Sequence, residues 1–311
     1  LLFLVLDRFG IVNVPFVSDV NGAWAWYQIP VLGSFQPSEY MKIALIIMVA
    51  DIVSSHNSQK LESSYLDDIQ LFLKVLKVAI PPLILIILQP DTGIPLIIII
   101  SIIAILCVSG IKRLWIYLGF GVVVGGFALF LFIFYTNQQL LINAFGDSLR
   151  LSRFYGWLET EKYILSYGNQ LYQGLLAIGS AGLLGHPLNQ VVVWFPEPQT
   201  NFIFAGIGQN VGCLGTTLVV VLSTMVALKL FSIAYQNDNQ RDKLVIMGFL
   251  GILVFQQVEN MGMITGLLPI TGITLPFISY GGSSLWSYMI PLAIVFKMSS
   301  DNIRKKGTFY K

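Results

Sequence analysis

The sequence predicts an all-α fold, a polytopic bundle of transmembrane helices, and two observations support this prediction. Apolar residues make up 55% of the 311 residues and charged residues only 11%, a balance that the surface of a soluble protein does not have. Apolar runs of about 20 residues, the length that a helix needs to cross the hydrocarbon core, recur along the chain. Runs of about 10 residues with alternating hydrophobicity, which indicate a membrane β-barrel, are not seen. Helices are therefore the expected spanning elements.

Hydropathy predicts about seven complete spans, each close to the length of a membrane helix. In chain order they are Pro37 to Val53, Ile69 to Leu88, Gly93 to Ser109, Leu114 to Tyr135, Phe202 to Phe231, Lys243 to Glu259 and Leu285 to Met298. The opening run "LLFLVL" is too short to cross a bilayer, and we expect it to be the end of a helix that begins before this sequence. We expect residues 1–311 to form a single integral membrane domain, truncated at its N-terminus.

Positively charged residues indicate which ends of the spans face the cytoplasm, because short cytoplasmic loops retain Lys and Arg. If the spans alternate, four cationic segments fall on one side: Lys60 with Lys74 and Lys77, Lys112 with Arg113, Arg241 with Lys243, and "RKKG" at Arg304 to Gly307. The C-terminus is therefore expected in the cytoplasm. The opposite face receives residues 136–201, a large extracytoplasmic loop between the fourth and fifth complete spans.

Charged residues at the edges of spans or inside them are costly in lipid and are therefore candidates for function. Glu39 and Lys42 are one helical turn apart and can pair, either at a functional site or as a structural ion pair that locks helices together. Asp91 follows Pro90 and precedes the apolar run that begins at Gly93. That pattern predicts an N-cap for the next helix.

The outer end of the sixth span and the segment after it are rich in polar residues and helix breakers. Glu259, before "NMGM", either points into an outward cavity or is a buried residue with satisfied hydrogen bonds. The stretch "LLPITGITLPFISYGGSSL", Leu267 to Leu285, cannot form a continuous helix. Non-helical backbone at membrane depth persists only where it lines a cavity or is buried in protein. The "SYGG" groups suit a phosphate or sugar ligand, and a structural re-entrant turn fits the same residues.

Five motifs indicate a family. They are "NGAWAWYQIPVLGSFQPSEYMK", "QPDTG", "YQGLLAIGSAGLLG", "PEPQTNFIFAGIGQNVGCLG" and "NMGMITGLLPITGITLPFISYGGSSL". By their order and approximate spacing, the chain resembles, over essentially its whole length, the shape, elongation, division and sporulation (SEDS) family, typified by RodA, FtsW and SpoVE. The resemblance implies ten transmembrane helices in the family, of which this sequence includes about seven complete ones.

The resemblance also implies a function and its partners. Family members are peptidoglycan glycosyltransferases of the bacterial cytoplasmic membrane, which serve cell shape, division or sporulation. Their substrate is lipid II or a related polyprenyl-pyrophosphate sugar, which they polymerise outside the membrane. They work in the lipid bilayer with a class B penicillin-binding protein that supplies transpeptidation. No nucleic acid partner is expected.

The catalytic position of the family holds a different residue in this chain. The essential carboxylate of the family is the Asp of an outer-loop "TDFIFA" motif, and that position here is Asn201, beside Thr200. An amide can orient a hydroxyl, but it has no useful basicity at neutral pH and cannot accept the proton. Gln209 and Asn210 stand where the family usually has an acidic pair, and Ala25 stands in place of an Arg.

The resemblance assigns the remaining site residues by their position in the motifs. Glu39 and Lys42 are expected to line a cavity beneath the outer loop. Its walls are expected to contain Gln89, Asp91, Ser279, Tyr280, Ser283 and Ser284. Arg150 and Arg153, which lie near the start of the large outer loop and outside the motifs, are candidates for holding pyrophosphate, although two arginines three residues apart also fit a solvated helix face. A divalent cation, Mg or Mn, is implied, but the sequence shows no dense carboxylate cluster, so its ligands are not assigned.

Three hypotheses follow for the function. The first is a lipid II polymerase in which Glu197, Glu259 or another outer acid replaces the missing Asp. The second is a catalytically silent paralogue that acts as a scaffold or regulator of a class B penicillin-binding protein. The third is a transporter of a lipid-linked precursor, which inverted repeats and a central charged pathway would favour; neither is clear in the sequence. A role in peptidoglycan synthesis is favoured, and whether this chain is itself an enzyme stays open.

Overall fold

The computed structural model describes residues 1–17, 23–30, 33–59, 64–91, 93–145, 149–187 and 190–308. Within this part of the chain the protein is mostly helical, which confirms the predicted fold class. The helices are α1 (Leu2–Arg8), α2 (Pro37–Gln59), α3 (Tyr65–Ile87), α4 (Gly93–Val108), α5 (Arg113–Thr136), α6 (Gln138–Phe145), α7 (Leu149–Leu158), α8 (Asn169–Ser180), α9 (Ile203–Gln236), α10 (Gln240–Ile264) and α11 (Gly282–Thr308). Two short strands, β1 (Tyr27–Ile29) and β2 (Gly33–Phe35), pair antiparallel.

Each of the seven predicted spans corresponds to one helix of the structure, from α2 to α5 and from α9 to α11, and α9 is broken by a non-helical residue at Gly212. Among the described helices, α3, α5, α9 and α10 are long and apolar enough to cross a membrane, and α4 is a shorter apolar helix. Helices α2 and α11 are also long, at 23 and 27 residues, but they contain more polar side chains. In α2 the charged residues near its start are buried inside the protein rather than presented to lipid.

Local sequence signals account for where two of these helices begin. The Ser64 hydroxyl accepts a hydrogen bond from the Leu66 N–H, 3.4 Å away, at the start of α3. The Asp91 carboxylate accepts hydrogen bonds from the N–H groups of Gly93 and Ile94 at 3.1 and 3.3 Å. Both side chains satisfy donors that a helix N-terminus otherwise leaves unpaired. The predicted N-cap at Asp91 is confirmed.

The chain divides into two compact units. Unit 1 consists of Leu1–Ile111, Leu222–Gln257 and Pro276–Lys311. Within it, α2 packs against α3, α4 and α11, and α11 also packs against β2. Small residues allow close helix contacts here: a Cβ atom at Gly248 would lie 2.8 Å from Ile105 Cδ1 and 3.0 Å from Ile46 Cγ2. Such small residues at helix interfaces are typical of membrane bundles.

Unit 2 consists of Lys112–Val221 and Val258–Leu275. The extracytoplasmic loop predicted at residues 136–201 contains three short helices, α6, α7 and α8. These helices are 8 to 12 residues long, too short to be stable alone, so packing of their apolar faces maintains them. One cluster of buried side chains contains Phe134, Leu141, Leu151 and Tyr155. A second contains Ala177, Phe195, Phe202, Phe204, Ala205, Met263, Ile264 and Leu275.

Candidate functional site

Asn201 lies in a turn immediately before α9, and two neighbouring segments of unit 2 position it. Its backbone carbonyl accepts a hydrogen bond from Asn260 Nδ2 at 2.8 Å, and the same nitrogen donates to the Ile273 carbonyl at 2.7 Å. A Cβ atom at Gly272 would lie 3.4 Å from Asn201 Nδ2, so the glycine lies directly against this amide. Asn260 thus connects the turn before α9 with the segment after α10.

Thr200 and Glu197 belong to the same turn as Asn201. The Thr200 hydroxyl donates to Glu197 Oε2 at 2.8 Å and approaches the Glu197 carbonyl at 3.3 Å. Glu197 is exposed and has φ +53°, in the left-handed region that non-glycine residues rarely adopt. The Gln170 amide donates to the neighbouring Pro196 carbonyl at 3.1 Å. The turn is therefore held in a strained conformation by contacts from α8 and from within itself.

A buried carboxylate lies at the outer end of α10, close to the segment that contains Gly272. Glu259 is only 4% exposed. Its Oε1 accepts a hydrogen bond from the Thr271 hydroxyl, whereas its Oε2 has no hydrogen-bond partner among the described residues. Arg153 of α7 donates to the Thr271 carbonyl at 2.8 Å, and its positive charge acts on Glu259. Of the two arginines predicted to hold pyrophosphate, Arg153 lies at this cluster, and the side chain of Arg150 lies outside the described part of the structure.

Unit 1 contains the predicted pair of charged residues on α2. Lys42 Nζ lies 2.5 Å from Glu39 Oε2, and the two residues are 1% and 5% exposed. The same Glu39 oxygen accepts a hydrogen bond from the Ser287 hydroxyl at 2.6 Å. Lys42 Nζ also lies 4.5 Å from the centre of the Tyr288 ring, whose hydroxyl donates to Gln256 at 3.0 Å. The pairing of Glu39 with Lys42 is confirmed, and α11 completes it with groups that the sequence analysis did not name.

Gln36 connects two of the predicted wall residues of unit 1. Its side-chain amide donates to Asp91 Oδ2 at 2.8 Å, and its backbone N–H donates to Ser283 Oγ at 3.3 Å. The Ser283 hydroxyl in turn donates to the Ser34 carbonyl at 2.6 Å. Burial, together with the nearby Glu39 charge, raises the pKa of Asp91 to about 6, although hydrogen bonds from backbone N–H groups and Gln36 act in the opposite direction.

Three other predicted wall residues are not part of this network. Gln89 is fully buried, and its amide donates to the Leu1 carbonyl at 3.1 Å. Tyr280 is 77% exposed, and the Ser284 carbonyl lies 2.7 Å from Ser287 Oγ, whose one hydrogen goes either to this carbonyl or to Glu39. The roles assigned to all the predicted wall residues, Ser279 among them, stay predictions.

Sequence reasoning missed several polar residues that organise both units. Gln36, Asn260, Thr271 and Ser287 were not assigned to the site, although the first three lie inside quoted motifs or beside them. The available signal for Ser287 was its position as a hydroxyl within an apolar helix, which by itself does not identify a partner. Each of them makes its main contact either with a residue far away in the sequence or with one in a breaker-rich segment. Helical spacing relates only residues a few positions apart, so it does not predict such contacts.

The described residues do not fit a metal centre. In the parts of the chain that the structure describes, no group of three or more His, Cys, Asp and Glu side chains is arranged to hold a metal ion. Carboxylates bind hard divalent cations best when several of them converge, whereas Glu39 is paired with Lys42 and Glu259 is bonded to Thr271. The expected divalent cation, Mg or Mn, stays a prediction without assigned ligands.

Comparisons with known proteins find the same family over nearly the whole chain. The family model for FtsW, RodA and SpoVE, described as a cell cycle protein, matches residues 1–303. Stage V sporulation protein E of Bacillus subtilis is 31% identical over 294 residues, which cover 93% of this chain and 75% of that protein. The probable peptidoglycan glycosyltransferase FtsW of the same bacterium is 32% identical over 322 residues, with 97% and 75% covered.

A solved structure supports the same assignment at the level of the fold. It is a peptidoglycan synthase complex, in which polymerization and crosslinking are coordinated, and it matches with a TM-score of 0.72 and 26% identity over 97% of this chain and 78% of that one. Together with the four helices that are able to span a bilayer, this match identifies a membrane protein. The chain belongs to the FtsW, RodA and SpoVE family of cell cycle proteins.

Proposed function

We propose that this protein polymerises lipid II into the glycan strands of peptidoglycan at the outer face of the bacterial cytoplasmic membrane. The observation that carries the proposal is its similarity, over 97% of the chain, to a probable peptidoglycan glycosyltransferase. The cationic segments favour a multi-pass topology with the C-terminus in the cytoplasm. Residues 136–201 and the turn that contains Asn201 then lie on the outer side, where polymerisation takes place.

The reaction sets clear chemical requirements. The acceptor sugar's 4-hydroxyl forms a bond to the anomeric carbon of the donor, and the lipid pyrophosphate leaves. Such a step benefits from a carboxylate that takes the hydroxyl proton and from cations near the leaving group. In unit 2, Asn201 and Thr200 can orient a hydroxyl through hydrogen bonds, and Arg153 can hold pyrophosphate oxygens through its guanidinium. Glu39 and Lys42 neutralise each other, which suits a role in supporting the bundle.

A class B penicillin-binding protein is the proposed partner. The solved complex that this chain resembles coordinates polymerization with crosslinking, and crosslinking is a separate chemistry that a second protein supplies. We expect the two proteins to copurify from membranes. A divalent cation is expected to support turnover, so chelation with EDTA should lower the rate and added Mg²⁺ or Mn²⁺ should restore it.

The scaffold hypothesis has one specific observation in its favour, the amide at Asn201. If no other residue of the site accepts a proton, the fold and the partner surface are kept while turnover is lost. The name of one relative reported above, the probable peptidoglycan glycosyltransferase FtsW, supports polymerisation, and neither relative's name mentions transport. Polymerisation is therefore the primary proposal.

The test is lipid II polymerisation by the purified protein, alone and with its class B penicillin-binding protein, in the native form and as Asn201→Asp. Glycan strands from the native protein would support the proposal. Product from Asn201→Asp alone would mean that the site lacks only a carboxylate and that the native chain is silent. If neither form is active while both bind the partner, the scaffold hypothesis replaces the proposal. Asn143→Asp, at an exposed position of the outer loop, is the matched control for adding a carboxylate.

A further inference from the structure

Glu259 is an unusual group for the position that it occupies. A buried carboxylate normally has a partner for each oxygen, because an unsatisfied buried polar atom is costly. Only Oε1 of Glu259 has such a partner, the Thr271 hydroxyl, while Oε2 has none among the described residues. The second oxygen can therefore accept a hydrogen bond without first giving up another one. At 4% exposure the group is closed to bulk water, so a sugar hydroxyl reaches Oε2 only when substrate binding shifts the side chain or the neighbouring segment.

Contacts within unit 2 bring this carboxylate close to the turn that contains Asn201. Glu259 precedes Asn260, whose amide bonds the Asn201 carbonyl at 2.8 Å. Its other neighbour, Thr271, precedes Gly272, which lies against the Asn201 amide. Asn260 and Gly272 therefore both lie against Asn201. Asn260 follows Glu259 in the sequence, and Gly272 follows Thr271, the hydrogen-bond partner of Glu259. The carboxylate missing at position 201 has a candidate substitute beside it.

A positive charge is present at the same place. Arg153 donates to the Thr271 carbonyl at 2.8 Å and is the charged residue that acts on Glu259 within the described part of unit 2. An ionised carboxylate inside a protein needs such compensation. Glu197, the other outer acid considered, differs in both respects: it is exposed, and its Oε2 already accepts the Thr200 hydroxyl.

We propose that Glu259 is the proton acceptor of the polymerisation reaction, in place of the amide at Asn201; this inference rests on the proposed function. The acceptor hydroxyl oxygen bonds to the anomeric carbon of the donor, and the hydroxyl proton passes to Glu259 Oε2. The bond from the anomeric carbon to the pyrophosphate oxygen breaks, and its electron pair leaves with the pyrophosphate. The proton then returns to water, so Glu259 is regenerated as a carboxylate.

The test compares lipid II polymerisation by the native protein, Glu259→Gln, Glu259→Asp and Glu161→Gln, the control at an exposed position of the outer loop, each with the partner present. Glutamine is nearly isosteric and can still accept the Thr271 hydroxyl, so only the basicity is removed. We expect Glu259→Gln to lose about 100-fold or more in rate, with unchanged thermal stability and partner binding. Glu259→Asp keeps a carboxylate and should retain measurable turnover.

A double variant separates a chemical role from a structural one. Adding Asn201→Asp to Glu259→Gln should restore turnover, because it returns a carboxylate to the same turn. Native product together with full activity in Glu259→Gln would overturn the inference but leave the proposed function standing. The inference would also be overturned if every Glu259 variant, Glu259→Asp included, lost activity in proportion to its loss of thermal stability. Absence of product from the native protein would overturn the proposed function itself.

Discussion

The pair Glu39 and Lys42 shows how charge is tolerated inside the helical bundle of unit 1. Both side chains are almost fully buried, and Ser287 and Tyr288 of α11 complete their contacts. Burying a charge costs several kcal/mol unless it is paired and hydrogen-bonded. The pair therefore makes α2 and α11 depend on each other within unit 1.

Removing one member of this pair should be more harmful than removing both. Lys42→Met leaves the Glu39 carboxylate buried with the Ser287 hydroxyl as its one side-chain donor among the described residues, which should cost about 3–5 kcal/mol. Glu39→Gln combined with Lys42→Met leaves no charge and should recover most of the stability. Thermal unfolding in detergent, with the two single variants and the double variant, measures the coupling. Equal unfolding temperatures for Lys42→Met and the native protein would contradict a buried, paired state.

Asp91 should make the stability depend on pH. Its pKa rises from 3.8 to about 6 in the folded protein. Between these values the folded protein holds a proton that the unfolded chain releases, so stability is highest below about pH 4 and falls as the pH rises to about 6. The change corresponds to about 2 to 3 kcal/mol.

The variant Asp91→Asn tests whether ionisation of Asp91 lowers the stability as the pH rises. Asparagine can still cap α4 through its oxygen, and Gln36 can turn its amide to accept the new N–H group, so mainly the ionisation is lost. We expect Asp91→Asn to be more stable than the native protein at pH 8, and the difference to be about one third as large at pH 4.5. Glu161→Gln, which changes an exposed carboxylate, should leave the native pH dependence intact. A native unfolding temperature that rises from pH 4.5 to pH 8 would contradict the prediction.

At the scale of elements, α9 is interrupted near Gly212, which has φ +68° and a non-helical conformation. A turn after α8 supplies hydrogen bonds there: the N–H groups of Cys213 and Leu214 donate to the carbonyls of Gly182 and Leu183 at 3.0 and 3.2 Å. Pairing of this kind satisfies the backbone groups that the break releases. The break and the turn therefore form one structural feature of unit 2.

Gly212→Ala should disrupt this feature. A Cβ atom at this position would clash with backbone atoms of Leu183 and Gly185, and the left-handed conformation alone costs about 1–2 kcal/mol for a residue with a side chain. We expect a loss of at least 2 kcal/mol in thermal unfolding. Gly179→Ala in α8 is the matched control, since nothing lies within 4 Å of its added Cβ, and its stability should be unchanged or slightly higher. Equal effects of the two substitutions would argue against the break being required.

At the scale of the whole molecule, the proposed topology places the outer loop and the C-terminus on opposite sides of the membrane. After Cys107 and Cys213, both exposed in the structure, are replaced by alanine, a single cysteine can be introduced at Ser166 or at Arg304. A membrane-impermeant maleimide should label Ser166→Cys in intact cells and Arg304→Cys only after permeabilisation. Labelling of both positions, or of Arg304→Cys alone, in intact cells would contradict the cationic pattern that places the C-terminus in the cytoplasm.

The sequence by itself determined the features that depend on local rules. Apolar length predicted seven helices, helical spacing predicted the pairing of Glu39 with Lys42, and the order of Pro90, Asp91 and Gly93 predicted the N-cap. Each signal acts over a few residues or over a single span, so no knowledge of the packing was needed. The motifs added the family, which the comparisons confirmed.

Only the tertiary structure decided how these parts meet. Ser287 reaches Glu39 across 248 positions, and Asn260 reaches Asn201 across 59, distances at which residue spacing carries no information. The helices α6 to α8 and the strands β1 and β2 are too short for a clear hydrophobic period in the sequence. They are stabilised by packing, so they can be identified only in the folded structure. The position of Glu259 beside the Asn201 turn likewise follows from the breaker-rich segment after α10, because that segment's path is set by hydrogen bonds to distant residues.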